Sequence, residues 1–472
     1  VALAAVIVAG ACASAVATPT ATGEATSTPW PTSSAWPTDT TSPTPSLIVT
    51  PSPSSNGGPT TFDIVMGKAP LLAPAEDYGV LAGTEINDFG FDLLRRLDTT
   101  GNLCASPASI ALALAMVRPG ARGQTAAEMD GVLHNFGSTG QEREIVALLK
   151  AFEAANLYDD SEWYASHPDA SPDASPDHTG LVPIAELDVS NAVFSQKGMS
   201  LEQAYLDALS SGFGAGIGQL DYASDPEAAR LVINKWASDR TKGRIPEILQ
   251  PGDVDELTRI ELANAIYLKA AWDYPFDPKK TKPLPFTTAN GKKVSVPTMA
   301  TRLLLSYSHG SGYRAVSLPL STLSMTLVVP DDMKAFVKSL SAAKLKAIDK
   351  ASVESEVTLT LPRFSAESRV ELAQILGAMG MPTAFSGKAD LSGITTEQRL
   401  FLDKVVHQAN IDVVEEGTTA SAVTVVGGKG SAGAPPPSVT FSINKPFLYF
   451  IREWTTGAVL FMGRIDDPSA KN

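Results

Sequence analysis

Glu415-Glu416-Gly417-Thr418-Thr419-Ala420-Ser421-Ala422-Val423-Thr424-Val425-Val426 runs directly into Gly427-Gly428-Lys429-Gly430-Ser431-Ala432-Gly433-Ala434-Pro435-Pro436-Pro437. After Gly417 the first part holds only small or β-branched residues, without proline or charge, and reads as a strand. The second part, glycine-rich and then proline-rich, reads as an exposed loop that could not join a sheet interior. Strand alternation puts Thr418, Ala420, Ala422, Thr424 and Val426 on one face, all small enough to enter a preformed sheet over a packed core. Two readings stay open on pattern alone: a strand feeding a protease-accessible loop, or a glycine-rich hairpin loop without function.

Outward from this stretch both hydrophobic periodicities recur. Helical spacing predicts helices over Ile86–Asp98, Pro107–Val117, Thr125–Leu133, Ile145–Leu157, Pro226–Thr241, Ala335–Ser352 and Ser368–Met379. Strand-like runs are Ala185–Phe194, Ile260–Lys269, Ser324–Val329, Glu356–Pro362 and Leu448–Arg452. Helices gather in the first half and strands in the second, which favours an α+β fold with mainly antiparallel sheets over a doubly wound one. The chain has 472 residues, 44% of them apolar, and length alone suggests two or three domains. No composition break interrupts residues 62–472 except Ser166–Thr179, a repeat of S-P-D-A that reads as a surface insertion, so this span behaves as one unit.

Residues 13–61 are almost entirely Ser, Thr, Pro, Ala and Gly. Such a segment buries too little surface to offset its ordering entropy and reads as a disordered linker. Val1–Ala11 is a short apolar run ending in small residues, the back part of a secretory signal, too short to span a bilayer. Ala9-Gly10-Ala11-Cys12 resembles a bacterial lipobox, which makes Cys12 a candidate lipidation site; an ordinary signal with an incidental cysteine is the alternative. Either way the expected location is extracellular, secreted or anchored to the outer face of the cell membrane. The net charge of −14 repels phosphate backbones and argues against a nucleic-acid partner.

Catalytic patterns are scarce. Neither a G-x-S-x-G elbow nor a phosphate-binding glycine loop after a strand occurs. Ser341-x-x-Lys344 matches a hydrolase motif but lies in an Ala/Lys/Leu-rich helical segment without companion motifs. His407 lacks an accompanying nucleophile and carboxylate, and reads better as a buried structural histidine than as a base. Two cysteines, Cys12 and Cys104, make no disulfide framework, and five scattered histidines make no metal site.

The quoted stretch resembles the hinge of the serpin reactive-centre loop, E-E-G-T-x-A-x-A-x-T, and Leu402–Asn410 is similar to the strand that enters it. In family order come Asn102–Ile110 (NLCASPASI), Ile233–Trp236 with Thr241–Ile245, Leu262–Trp272 with Pro275-Phe276, Ser317–Pro319, Leu361–Phe364, Ala389–Gly393, Asn444–Phe447 and Phe461–Arg464. Together they cover about Ile86 to Pro468. The resemblance implies the serpin fold, three mainly antiparallel β-sheets with eight or nine helices, and a reactive-centre loop over 415–437 that inserts into the largest sheet after cleavage. It implies an irreversible suicide-substrate inhibitor of serine proteases rather than an enzyme, a monomer, without cofactor or metal. A non-inhibitory serpin acting as a surface binding or chaperone-like protein is the alternative, although this hinge lacks the prolines, charges and bulky residues that stall insertion.

Carried over by motif, the hinge is Glu415, Glu416, Gly417, Thr418, Thr419, Ala420, Ser421 and Ala422. Ser106, Ser109, Asn264 and His407 match the polar cluster beneath the opening sheet, and Trp272 matches the aromatic where insertion begins. Departures are Cys104, Gln408 and Ala270, the last in place of the usual glycine. The family puts the residue before the cut fourteen positions beyond the hinge glycine, which gives Ser431–Ala432 and an elastase- or subtilisin-like target. Lys429–Gly430 with a trypsin-like target is the alternative.

Overall fold

The computed structural model describes residues 62–97, 101–158, 183–418 and 436–470. Nine α-helices lie among them: α1 (Val80–Leu94), α2 (Pro107–Val117), α3 (Gly123–Val132), α4 (Glu142–Ala154), α5 (Gln203–Phe213), α6 (Pro226–Arg240), α7 (Met333–Lys338), α8 (Ala342–Lys350) and α9 (Ala373–Met379). The central one is α2, PASIALALAMV, in which every residue is buried. A helix with no polar face belongs in the interior. Its start is built locally: the Ser106 hydroxyl accepts the Ser109 N–H at 3.2 Å, and Pro107 fills a first-turn position where no N–H is needed.

Strands in chain order are β1 (Asp63–Val65), β2 (Leu103–Ala105), β3 (Leu157–Tyr158), β4 (Pro183–Gln196), β5 (Ile217–Leu220), β6 (Ile260–Ala270), β7 (Lys282–Thr287) and β8 (Lys293–Gly310). They continue as β9 (Tyr313–Leu320), β10 (Leu323–Pro330), β11 (Val353–Pro362), β12 (Phe364–Glu371), β13 (Val406–Val413), β14 (Ser438–Ser442), β15 (Phe447–Glu453) and β16 (Val459–Ile465). One sheet runs β1-β5-β4-β3 with β6 also on β4, a second β14-β11-β8-β9-β10-β15-β16-β2 with β7 on β8, and the third is β12-β13. Only β4–β5 and β11–β14 pair in parallel among these ladders, so the fold is α+β and mainly antiparallel, as expected from the sequence.

Two helix expectations need correction. Ser368–Met379 is helical only from Ala373; Ser368 through Glu371 belong to β12, paired residue for residue with β13. Ladder hydrogen bonds and the alternating burial of Phe364 and Ala366 outweigh the helical spacing there. Ala335–Ser352 is two helices, because the Ser341 hydroxyl caps α8 by accepting the Lys344 N–H at 3.1 Å. The same bond explains Ser341-x-x-Lys344: it is a helix cap, and the Lys344 ammonium sits 4.3 Å from the Phe336 ring centre. Helix α5 and strands β7 to β9 were not among the elements read from the sequence.

Candidate functional site

The third sheet is separate because β6 and β13 face each other without a ladder between them. They run the same way. Asn264 in β6 meets His407 in β13, with His407 Nδ1 2.8 Å from Asn264 Oδ1. Eight residues further along β6's course, the Trp272 indole N–H donates to the Val414 carbonyl at 2.9 Å. The gap is thus latched at mid-height and closed at its C-terminal end.

The latch is a fully buried polar cluster. His407 Nε2 accepts the Ser106 N–H at 3.0 Å, so Nδ1 carries the proton and donates to Asn264. Burial depresses the imidazole pKa to about 3, which keeps it neutral. The Asn264 amide donates to the Ser109 hydroxyl at 2.5 Å and to Asn191 Oδ1 at 2.5 Å. Ser106, Ser109, Asn264 and His407, chosen by motif, are brought together as one network. Asn191 was missed; it sits directly opposite Asn264 across β4 and β6, a register that sequence does not display.

At the closed end the chain reverses. Val414 and Gly417 exchange hydrogen bonds at 3.0 and 3.3 Å, and Gly417 bridges Ala271 on the other side. Gly417 is therefore wedged between the ends of β6 and β13. Its φ is 145°, and a Cβ there would lie 2.1 Å from the Ala270 carbonyl oxygen, so only glycine fits. Thr418 follows into the gap: its N–H donates to Ala270 O at 2.9 Å, and its hydroxyl accepts the Ala270 N–H at 3.0 Å. The Ala270 methyl obstructs none of this. Thr418 is 2% exposed, with its side chain on the buried face that the alternation predicted.

Charge anchors the turn. Glu415 is buried and accepts from Arg363 Nε at 2.9 Å and Nη2 at 2.7 Å, and from the Thr281 hydroxyl. Burial alone would raise its carboxyl, but Arg363 and Thr281 outweigh that and hold it below the usual range. The Glu416 carbonyl accepts the Trp272 N–H at 3.0 Å. Beyond Thr418 the gap narrows to a cavity of about 20 Å³ lined by Tyr267, Leu268, Asn410, Ile411 and Asp412. Arg244, just after α6, closes it from outside by pairing with Asp412 at 2.8 Å. Among the remaining site candidates, Thr419, Ala420, Ser421, Ala422, Lys429, Gly430, Ser431, Ala432 and Cys12 lie outside the described residues, as do the 13–61 and 166–179 segments.

Cys104 is buried, its thiol pushed up to about 12 by burial, which makes it an inert core residue. Gln408 is buried and donates to Glu367 at 3.1 Å. Among the described residues no cluster of His, Cys, Asp or Glu could hold a metal ion, and no helix is long and apolar enough to cross a membrane.

The turn is thus wedged between two unpaired strand edges and leads the chain back between them. Residues 84–468 match the family model described as serpin, serine protease inhibitor. The chain belongs to the serpin family. It is 33% identical to the leukocyte elastase inhibitor of Xenopus tropicalis over 399 residues, 80% of this chain and 97% of that relative. Serpin B3 of Homo sapiens is 32% identical, with 80% and 97% covered. Among solved structures, the thermophilic serpin tengpin in its native state superposes with a TM-score of 0.67 at 23% identity, covering 85% of this chain and 97% of that one. A thyroxine-binding globulin complex gives 0.64 at 25% identity, covering 83% and 100%. Membership supports protease inhibition as this serpin's general activity.

Proposed function

We propose that this serpin irreversibly inhibits extracellular serine proteases: its loop is cut at Ser431–Ala432, and the freed strand enters the gap between β6 and β13 while still esterified to the protease. The observation that carries this reading is the Gly417–Thr418 turn already seated between the two open edges. The Ala271–Gly417 and Val414–Gly417 bridges define one antiparallel register on each side. Continued, it pairs residues 418–426 with Ala270 back to Leu262, and it sets Thr424 between Asn264 and His407.

The target supplies the chemistry. Its serine oxygen attacks the Ser431 carbonyl, the C–N bond to Ala432 breaks, and the Ala432 amine leaves with the proton relayed by the protease's histidine. Insertion of the nine strand-competent residues 418–426 at ~3.4 Å each then carries the ester ~30 Å before water hydrolyses it. A cut after Lys429 would shorten that tether by about 7 Å, which favours small-residue specificity. The chain itself contributes bait and sheet, not a catalytic group. Export and lipid anchoring through Cys12 complete the proposal, and fatty-acid labelling that disappears in Cys12→Ser tests the anchor.

Incubation with pancreatic elastase, subtilisin and trypsin tests the core of it. An SDS-stable adduct with elastase or subtilisin, and a released peptide starting at Ala432, are expected. A peptide starting at Gly430, with trypsin inhibited fastest, moves the bond to Lys429–Gly430. Likeness to the thyroxine-binding globulin fold favours a second reading, a non-inhibitory binding protein; cleavage without any adduct would select it.

A further inference from the structure

Between α7, the end of β10, the turn entering β15 and the end of β16 lies an open cavity of about 650 Å³, the size of sites that take small organic ligands. Two chemistries line it. Met333 and Val337, one turn apart on α7, form an apolar wall with Pro330 and Pro446. Beside them Lys334 and Lys338 form a parallel stripe on the same helix, both exposed.

The charges around the cavity do not cancel. Arg95 is held by Asp92, Lys445 lies 3.7 Å from Asp331, and Arg464 lies 2.9 Å from Asp466. Lys334 and Lys338 remain, without an ion pair among the described residues. Like charges four residues apart on a helix repel, and an anion between them removes that cost. The whole chain carries −14, so a surplus of two positive charges beside an apolar wall reverses the local sign. Two lysines are too few for a polyanion, which would also leave the wall unused.

We propose that this cavity binds a small amphipathic anion, its apolar body against Met333 and Val337 and its acid group between Lys334 and Lys338. The site is remote from the gap and does not depend on whether the loop inhibits a protease.

Fluorescence titration of the folded chain with 1-anilinonaphthalene-8-sulfonate tests it, with N-phenyl-1-naphthylamine as a neutral probe of the same rings. Saturable one-site binding of the sulfonate is expected, at least about tenfold tighter than the neutral probe. The double variant Lys334→Glu/Lys338→Glu should weaken the sulfonate by about tenfold or more. Lys346→Glu/Lys350→Glu, which changes net charge equally on exposed positions of α8, should leave it unchanged. The proposal is overturned by no saturable binding, by equal affinity for both probes, or by equal losses in the two double variants. Unaltered thermal melting of all variants checks that the comparison is between folded proteins.

Discussion

Replacing Thr418 by arginine should convert the inhibitor into a substrate. Thr418 is 2% exposed, and its amide and hydroxyl are both bonded to Ala270. The cavity beyond it measures about 20 Å³, room for roughly one water and not for a guanidinium. Asp412, the carboxylate on its lining, is already paired with Arg244 at 2.8 Å. An arginine would therefore have to bury its charge without a partner when the strand enters, at a cost of several kcal/mol. Even ~3 kcal/mol of this in the insertion barrier slows insertion about a hundredfold. Deacylation occurs in the protease and keeps its rate, so the ratio of inhibitor released as cleaved product to inhibitor trapped on elastase should rise by about two orders of magnitude. Active-site titration and denaturing gels measure both quantities: cleaved inhibitor should accumulate while the adduct band fades. Thr419→Arg, on the opposite face by alternation, should still inhibit. A Thr418→Arg variant with unchanged stoichiometry, or a Thr419→Arg variant that fails instead, would refute the register.

Cleavage in the loop should raise the melting temperature by about 12 °C, from roughly ten added strand hydrogen bonds near 1 kcal/mol each in a folded unit of about 400 residues; a melting point that stays put in scanning calorimetry would contradict insertion. His407, neutral in the fold down to about pH 3, takes up a proton below about 6.5 once unfolded. Native stability should accordingly be complete above that value and decline as pH falls toward 3, by up to ~5 kcal/mol. Glu144, pushed up to about 7 by burial and by Asp77 and Glu85, acts oppositely as pH rises from 4.5, so the difference between wild type and His407→Asn in melting profiles isolates the histidine; parallel profiles would count against its burial. Arg244→Ala removes a half-exposed pair worth ~1 kcal/mol at most and should speed adduct formation by no more than about fivefold; stopped-flow inhibition that slows instead would mean that the pair assists entry. Thr424→Val should reduce the stability gained on cleavage by ~1–2 kcal/mol, and denaturant melts of the cleaved forms that coincide would remove Thr424 from the latch.

The fold was legible mainly where one residue pattern leaves one physical outcome. PASIALALAMV after Ser106 can only be a capped, wholly buried helix, and α2 matches the expected bounds. Glu415–Thr418 were legible through their resemblance to the serpin hinge motif, and the structure supplies the reason for its glycine, held at φ 145° with no room for a Cβ. Asn191, Arg363 and Thr281 were not, since their roles arise from cross-strand register and from contacts far along the chain. Ser368–Glu371 misled for a related reason: helical spacing is local, whereas pairing with β13 is not.

The proposed register would also explain why the loop carries hydroxyls where it does. Two bare strand edges invite pairing with any extended chain, and the native molecule closes them with hydrogen bonds between His407, Asn264 and their neighbours. Each of those atoms is buried, so a strand that parts His407 from Asn264 must replace what it breaks, or leave a donor and an acceptor unsatisfied at ~1–3 kcal/mol each. On the inward face of the loop, Thr418 stands at the entrance, where its hydroxyl already serves Ala270, and the proposed register would bring Thr424 level with the latch. Ala420, Ala422 and Val426 offer nothing to a polar partner. Slippage by two residues would bring Ala422 or Val426 against the histidine and forfeit the replacement bonds. A latch of apolar side chains would have closed the gap equally well but accepted any of these registers. If the loop inserts as proposed, the polar cluster would therefore select the one register in which six residues beyond Thr418 a second threonine arrives.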